Sequence, residues 1–543
     1  MASRFGGLAL LALISSSLIA APALAAEDLQ IVDEPDKPPK GFVQTRAAVE
    51  QTARRTEAVQ GQLLEHPRMS PTTYTTENQR WHVSWFNKRD KEVAQVIVDD
   101  ASGRVVEQWT GPQVAWKMAR GYPGAFGRSI NLPWVWLPLC LVFLVPFIDF
   151  RNPRRLLHLD LLVLLSFTIS HTFFDAANIA ASVPLVYPVL LYLLARMLWE
   201  GWRRRERATR LIPHLRLWVV VAATALLIVG RIVLNVLDGN VIDVGYAGVI
   251  GAERIVAGEG IYGDGFHEEV GNGDTYGPLT YLTYVPFERL FPWGGEWDGL
   301  PAAHGAAIAF DLLALAGLFV LGTRFARGPP GRELGVALAF AWAAYPYSSF
   351  SLMSNANDTL VAAALIWTMA LVASPVGRGA MLGLAAAAKF APLILAPVLL
   401  RGPDGGRRRF LGRAASPVLF VAALAIVIAL LFVPFVPDGG VREIFERTIV
   451  YQADRNSPFS VWGSYDIADW LHRAAQVAAA ALAVALAVFP RKRDATQIVA
   501  LSAAVLLALQ LTVDHWFYLY VVWFAPLVFV ALFARHQLRP APP

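Results

Sequence analysis

The sequence predicts an all-α polytopic membrane protein of about eleven transmembrane helices and one re-entrant hairpin, with a small α+β extracytoplasmic domain at its N-terminus. Three observations carry this. Of 543 residues, 55% are hydrophobic and 16% charged, against about 25% charged in ordinary soluble domains. Mean hydropathy is +0.44, and apolar runs near the ~20 residues needed to span a bilayer recur throughout the chain beyond Ile130. Residues 26–130 are polar and contain no such run.

The N-terminus carries Arg4, an apolar stretch from Gly6 to Ala20, and Ala23-Leu24-Ala25 ahead of Ala26. This is the pattern of a secretory signal over residues 1–25; an uncleaved first helix is the alternative, and it leaves the next segment on the same side. In residues 26–130, a proline-containing linker leads to a polar helical stretch over Thr45 to Leu64. Strand-like runs follow at Trp81–Phe86, Val93–Asp99 and Val105–Trp109, the last two joined by an Asp/Gly turn, with a short helix over Pro112–Arg120. The net charge of +5 comes with basic blocks such as Arg203, Arg204 and Arg205 lying between apolar runs. Basic residues so placed report membrane orientation, so no nucleic-acid partner is expected. The single cysteine, Cys140, excludes an intrachain disulfide.

Spans are expected at 131–149, 157–174, 184–200, 215–236, 302–322, 334–351, 358–374, 413–435, 470–489, 496–513 and 516–534. With residues 26–130 outside, the loops carrying Arg151 and Arg154, Arg203 to Arg216, and Arg324 to Arg332 fall inside, as the positive-inside rule requires. The run Gly379–Leu400 breaks this agreement if it crosses. A hairpin dipping in from the cytoplasmic side restores it and leaves residues 536–543 as a cytoplasmic tail. Residues 131–214 then form accessory helices, and 215–535 a core with two long outer loops, 237–301 and 437–469. Loops of this length in compact proteins usually have a job. The first is strongly acidic, with a helix read over Tyr246 to Val256 as lying amphipathically at the interface.

Four stretches carry a family resemblance: IDVGYAGVIGAERIVAGEGIYG from Ile242, TYGPLTYLTYVPF from Thr275, GLAAAAKFAPLILAPVLL from Gly383 and QADRNSPFSVWG from Gln452. Together they resemble the C-type superfamily of membrane glycosyltransferases, and within it the actinobacterial polyprenyl-phosphate-mannose-dependent mannosyltransferases. The stretch VIVDDASGRVVEQWTG from Val96 resembles a PepSY-type module, as a regulatory or docking domain or as a spacer. The core resemblance implies transfer of a sugar, mannose in that family, from a polyprenyl-phosphate donor to an envelope lipid, glycan or protein, with inversion and on the outer face. It also implies a catalytic carboxylate in the first outer loop, a position matched by Asp243.

The residues themselves fit that chemistry. Inversion needs a carboxylate to take the acceptor's proton and a cation to stabilise the leaving phosphate. Asp243 is the expected base, with helix capping as its structural alternative and Asp238 as its nearest competitor. Arg455, Lys389 and Arg231 are the expected phosphate ligands. Arg455 has a pairing with Asp454 as its alternative, Lys389 a structural ion pair, and Arg231 a pair with Asp311 of the next span. Asp238, Tyr246, Tyr276, Gln452, Ser457 and His515 are the expected substrate-binding residues; Asn355, Asn357 and Asp358 mark an outer turn, where capping competes with sugar binding. No cofactor is expected. A divalent ion among Asp264, Glu268, Glu269 and Asp274 stays open without a defined ligand spacing. The chain contains no phosphate-cradling Gly-x-x-x-x-Gly-Lys-Ser/Thr loop, no Gly-x-Gly-x-x-Gly after a strand and no His-Glu-x-x-His helix, which fits a lipid-linked donor rather than a soluble nucleotide. The competing reading is a transporter or flippase of lipid-linked sugars, although no inverted internal duplication is visible.

Overall fold

A computed structural model describes residues 30–536 apart from 77–78, 89–90, 116–119, 122–126, 204–209, 263–265, 267–272, 296–298, 327, 405–407, 454–456 and 466. The signal-like residues 1–25 and the 536–543 tail beyond its first residue therefore lie outside the described residues. What is described divides into two compact units, one up to Thr110 and one from Gly111 onward.

The first unit is a five-stranded antiparallel meander, β1 (Gln30–Ile31), β2 (Ser70–Thr75), β3 (Arg80–Phe86), β4 (Glu92–Asp99) and β5 (Val105–Thr110), with neighbours in chain order. Two helices, α1 (Arg46–Arg54) and α2 (Glu57–Glu65), supply Val49, Ala53 and Val59 to a core completed by Trp81, Val83, Trp85, Val96 and Val98. The single helical stretch expected over Thr45 to Leu64 is two helices because Thr56 caps the second one, its side-chain oxygen accepting from the Val59 N–H. The three expected strands are β3, β4 and β5. Strand β2, Ser-Pro-Thr-Thr-Tyr-Thr, was hidden by its lack of aliphatic residues. Buried Asp100 ties the sheet to the entering chain, accepting from Val43 N, Gln44 N and Trp81 Nε1 at 2.7, 2.9 and 2.8 Å. The unit ends at Thr110, short of the boundary expected at 130. Of the expected closing helix only Pro112–Ala115 is described, and the Gln113 amide donates to Ala177 O at 2.9 Å within the second unit.

The second unit is helical. In chain order it contains α3 (Pro133–Leu144), α4 (Leu156–Asp175), α5 (Ile179–Trp202), α6 (Leu217–Asp238), α7 (Asp243–Ala257), the short α8 (Pro278–Leu282) and α9 (Val285–Leu290), α10 (Pro301–Phe325), α11 (Pro329–Ala344), α12 (Pro346–Met353), α13 (Asp358–Ala370), α14 (Pro375–Ala388), α15 (Arg408–Phe432), α16 (Asp469–Val488), α17 (Ala495–Gln510) and α18 (Val521–Phe533). Among the described residues, six helices are long and apolar enough to cross a membrane: α4, α5, α6, α10, the segment Ala415–Phe435 and α16. The other expected spans are shorter as single helices. The run 334–351 divides where Pro346, which lacks an N–H and restrains the residue before it, leaves Tyr345 extended. Leu226, Val229 and Leu237 on α6, with Val418, Ile426 and Leu430 on α15, are exposed. Aliphatic faces of that extent are stable in lipid rather than water, and the chain is a multi-pass membrane protein.

Helices α4 and α5 are bound tightly to the last two helices. The Tyr518 hydroxyl lies 2.7 Å from Ser170 Oγ and 2.8 Å from Ser182 Oγ. Asp160 holds Arg196 Nε at 2.9 Å and the Tyr192 hydroxyl at 2.8 Å, while Arg196 and Arg535 both pair with buried Glu200.

Between α14 and α15 the chain turns back on itself. Arg378, near the start of α14, donates through Nε to Leu399 O at 2.7 Å and through Nη2 to Leu400 O at 3.2 Å, whereas Lys389 ends the helix at its far end. Residues 389–400 thus return to the level at which α14 began, with Lys389 at the apex. Helix α7, read from sequence as interfacial, has Val244 to Ala252 buried. Its glycines explain this: Tyr284 packs against Gly248 and Tyr281 against Gly251 so closely that added Cβ atoms would fall 2.7 and 2.2 Å from the rings.

Candidate active site

The apex of the hairpin builds the first part of the site. Helix α14 ends because Lys389 adopts an extended conformation, φ −141° and ψ 138°, and a helix end leaves carbonyls without partners. Ala388 O receives the Gly277 N–H at 3.1 Å and the Thr280 hydroxyl at 3.0 Å. This docking needs the glycine, since a Cβ at 277 would sit 2.1 Å from Ala387 O. Gly277→Ala is therefore expected to displace the 276–280 turn and lower transfer activity at least about tenfold, since angstrom-scale misplacement costs up to about 10² in rate. Activity per mole of membrane-inserted protein checks it; wild-type turnover would show that the close approach is dispensable.

The docked turn lays Tyr276 against Lys389. The ammonium is 5.5 Å from the Tyr276 ring, 5.7 Å from Tyr520 and 5.5 Å from Trp523, within cation–π range of all three. It bonds Asp358 Oδ1 at 2.8 Å, an oxygen that also accepts from Trp523 Nε1 at 2.9 Å. Asp358 is the first residue of α13, where the helix dipole favours a carboxylate, and Lys389 follows the last residue of α14, where it favours a cation. The Lys389 side chain keeps 12% of its surface exposed and Asp358 only 1%. Of the two, Lys389 is the more exposed member of the pair.

Tyr520 continues the wall, its ring 4.8 Å from Trp523 and 6.1 Å from His515. His515 Nδ1 lies 2.8 Å from Ser457 Oγ, so two expected sugar-binding residues meet beside the Lys389 cage. Next to His515, burial pushes the Asp514 carboxyl up, against the opposing pull of His472 at 3.7 Å. Gln452 is exposed at the end of a helical turn. Arg455 lies outside the described residues, as do Asp264, Glu268 and Glu269. Asp274 pairs with Arg447 at 3.2 Å, joining the first long loop to the second. Among the described residues no group of three or more His, Cys, Asp or Glu is arranged to hold a metal ion.

Asp243 opens α7 at the same end of the bundle. It is exposed, and its Oδ1 accepts its neighbour Val244's N–H at 2.9 Å, a local contact at a helix N-terminus. The segment carrying it is stitched to the turn that delivers Asp358: Asn240 N donates to Met353 O at 2.9 Å and Ile242 N to Ser354 O at 3.3 Å. Asp238, its competitor, accepts from Ser129 N at 2.9 Å. Tyr246 is buried, with its ring edge-on to Trp293 at 6.1 Å. Arg231 stands apart from the Lys389 cage. It pairs with buried Asp311 at 3.1 Å and donates to Trp342 O and Ala343 O at 3.3 Å, the structural pairing left open by the sequence.

Sequence reasoning assigned no site role to Tyr520 or Trp523, and for Asp358 it weighed sugar binding against helix capping without reading its pair with Lys389. An acid heading an apolar helix was the one available signal for Asp358; two aromatics in an aromatic-rich last span look like an interfacial belt.

The family model of glycosyltransferase family 87 matches residues 275–541. This supports a membrane glycosyltransferase. The matched region contains Tyr276, Asp358, Lys389, Ser457, His515, Tyr520 and Trp523, and begins after Asp243. A solved structure, ArnT from Cupriavidus metallidurans bound to undecaprenyl phosphate, is similar at 17% identity and a TM-score of 0.40. The similarity covers 58% of this chain and 59% of that one, less than two thirds of the neighbour's length. Curated proteins give no match.

Proposed function

We propose that the protein transfers a sugar, with mannose the expected one, from a polyprenyl-phosphate donor to a cell-envelope acceptor on the extracytoplasmic face. The observation that carries this reading is Lys389, an ammonium at a re-entrant apex, anchored by Asp358 and walled by three aromatic rings, in a region matching a glycosyltransferase family. The acceptor hydroxyl attacks the anomeric carbon from the face opposite the phosphate. As the new bond forms, the C–O bond to phosphate breaks, the electron pair leaves with the polyprenyl phosphate, and the acceptor's proton passes to the Asp243 carboxylate. Lys389, with Arg455 from the second loop, neutralises the charge growing on the phosphate. Ser457, His515, Gln452 and Tyr276 bind the sugar. The contacts of Asp238 and Tyr246 suit them to hold the loop that carries the base, and those of Arg231 to hold the helices beneath it. The N-terminal unit, in its PepSY-like reading, is an extracytoplasmic regulatory or docking domain.

The test is transfer of labelled mannose from polyprenyl-phosphate-mannose in membranes with and without the protein, beside labelled nucleotide-mannose under conditions that block formation of the lipid donor. Product from the lipid donor alone, and only with the protein present, is expected. Direct use of the nucleotide sugar, or protein-dependent lipid translocation without any transferred product, would overturn the proposal.

A further inference from the structure

The geometry points to Asn355 as a positioning residue that sets the Asp243 carboxylate relative to the Lys389 ammonium. This inference rests on the reading of those two groups as base and phosphate ligand.

Asn355 is fully buried and lies in the turn between α12 and α13 at φ +48°, a left-handed conformation that asparagine tolerates better than most residues. Its side chain faces the opposite strand of chain. The Nδ2 amide donates to Asn240 O at 2.9 Å, and Oδ1 accepts from Asn235 Nδ2 at 2.9 Å. Asn235 uses its amide a second time on Leu352 O at 2.8 Å, and its oxygen lies 3.0 Å from His304 Nδ1, so the imidazole donates there. The main chain of the turn adds the two bonds from Asn240 and Ile242 to Met353 O and Ser354 O. Gly245 lies so close that a Cβ would meet Asn355 O at 2.5 Å.

These contacts clamp both ends of the linker 239–242. Asn355 holds the last turn of α6 through Asn235 and the linker through Asn240, and its carbonyl abuts the first turn of α7. Asp243 is the first residue the clamped linker delivers. In the other direction, Asp358 begins α13 three residues on and takes Lys389. One buried amide thus bonds the linker that delivers Asp243 and sits three residues ahead of the acid that holds Lys389, and it touches neither group. Asp358 has its own support from Trp523 Nε1 and the α13 N-terminus, so losing the Asn355 side chain acts first on the Asp243 side.

The test crosses Asn355→Gly with Asp243→Asn in the full-length protein and measures transfer from polyprenyl-phosphate-mannose per mole of inserted enzyme. Glycine accepts the left-handed conformation, so the substitution removes the amide without adding backbone strain. Expected is a fall in kcat of about 10- to 100-fold, the scale of angstrom-level misplacement, with donor KM changed less than about threefold. In the Asp243→Asn background the same substitution is expected to cost less than about threefold, because a group acting through the carboxylate has nothing left to position. Equal losses in both backgrounds, no loss in the first, or a rise in donor KM at constant kcat would overturn the proposal. If Asp243→Asn alone transfers at the wild-type rate, the base assignment fails, an outcome separate from additivity. Asn355→Asp, which keeps the acceptor for Asn235 and loses the donor to Asn240 O, repeats the test where the glycine variant does not insert.

Discussion

Lys389→Met is expected to reduce sugar transfer by about 10²–10³-fold or more, the usual scale for removing an electrostatic stabiliser from a transition state. The substitution also strands the Asp358 carboxylate, 1% exposed, with Trp523 Nε1 as its remaining hydrogen-bond donor among the contacts described. Breaking a buried pair in this way costs about 3–5 kcal/mol, so poor insertion would mimic a catalytic defect. The pair Lys389→Met/Asp358→Asn separates the two effects: it leaves no lone charge and is expected to restore wild-type yield without restoring turnover. Transfer at the wild-type rate by that double variant would remove Lys389 from the reaction. Lys389→Arg is expected to retain partial activity, since its broader guanidinium must fit among the same three rings.

Asp243→Asn should lower kcat by about 10²–10⁴-fold, the range for loss of a general base, with little change in yield or donor KM. The amide oxygen can still accept the Val244 N–H that the carboxylate now takes, so the start of α7 survives while proton affinity is lost. The sharper readout is the pH dependence of kcat/KM: the acid-side limb belonging to the base should be present in the wild type and absent from the variant. Persistence of that limb would show that another carboxylate accepts the proton.

Hydropathy made the membrane class legible, and strand alternation with an Asp/Gly turn made three of the five strands so. Charge placement suggested a turn back within Gly379–Leu400 whose depth the sequence left undecided; in the structure Arg378 bonds Leu399 O and Lys389 lies at the head of α13. For Arg231 the sequence already offered Asp311 as a structural partner, and the two are paired. What patterning could not supply was the partner of Lys389, a cation within apolar sequence that only packing sets against Asp358 beside three rings. The buried α7 eluded periodicity because its inward glycines count as weakly apolar in sequence yet admit whole tyrosine rings in space. Tyr520 and Trp523 were invisible for the opposite reason, being two aromatics among many in the last span.

The union of α4 and α5 with the last two helices bears on how this chain can be cut. The family match begins at residue 275, which invites excision of a minimal catalytic fragment. Such a fragment would retain Arg535 without Glu200 and the Tyr518 hydroxyl without its two serines, uncovering a polar scar on the flank of the helices that present Tyr520 and Trp523. The upstream helices thus complete polar contacts that the later ones need, and a shortened chain is expected to regain order when they are supplied as a separate chain.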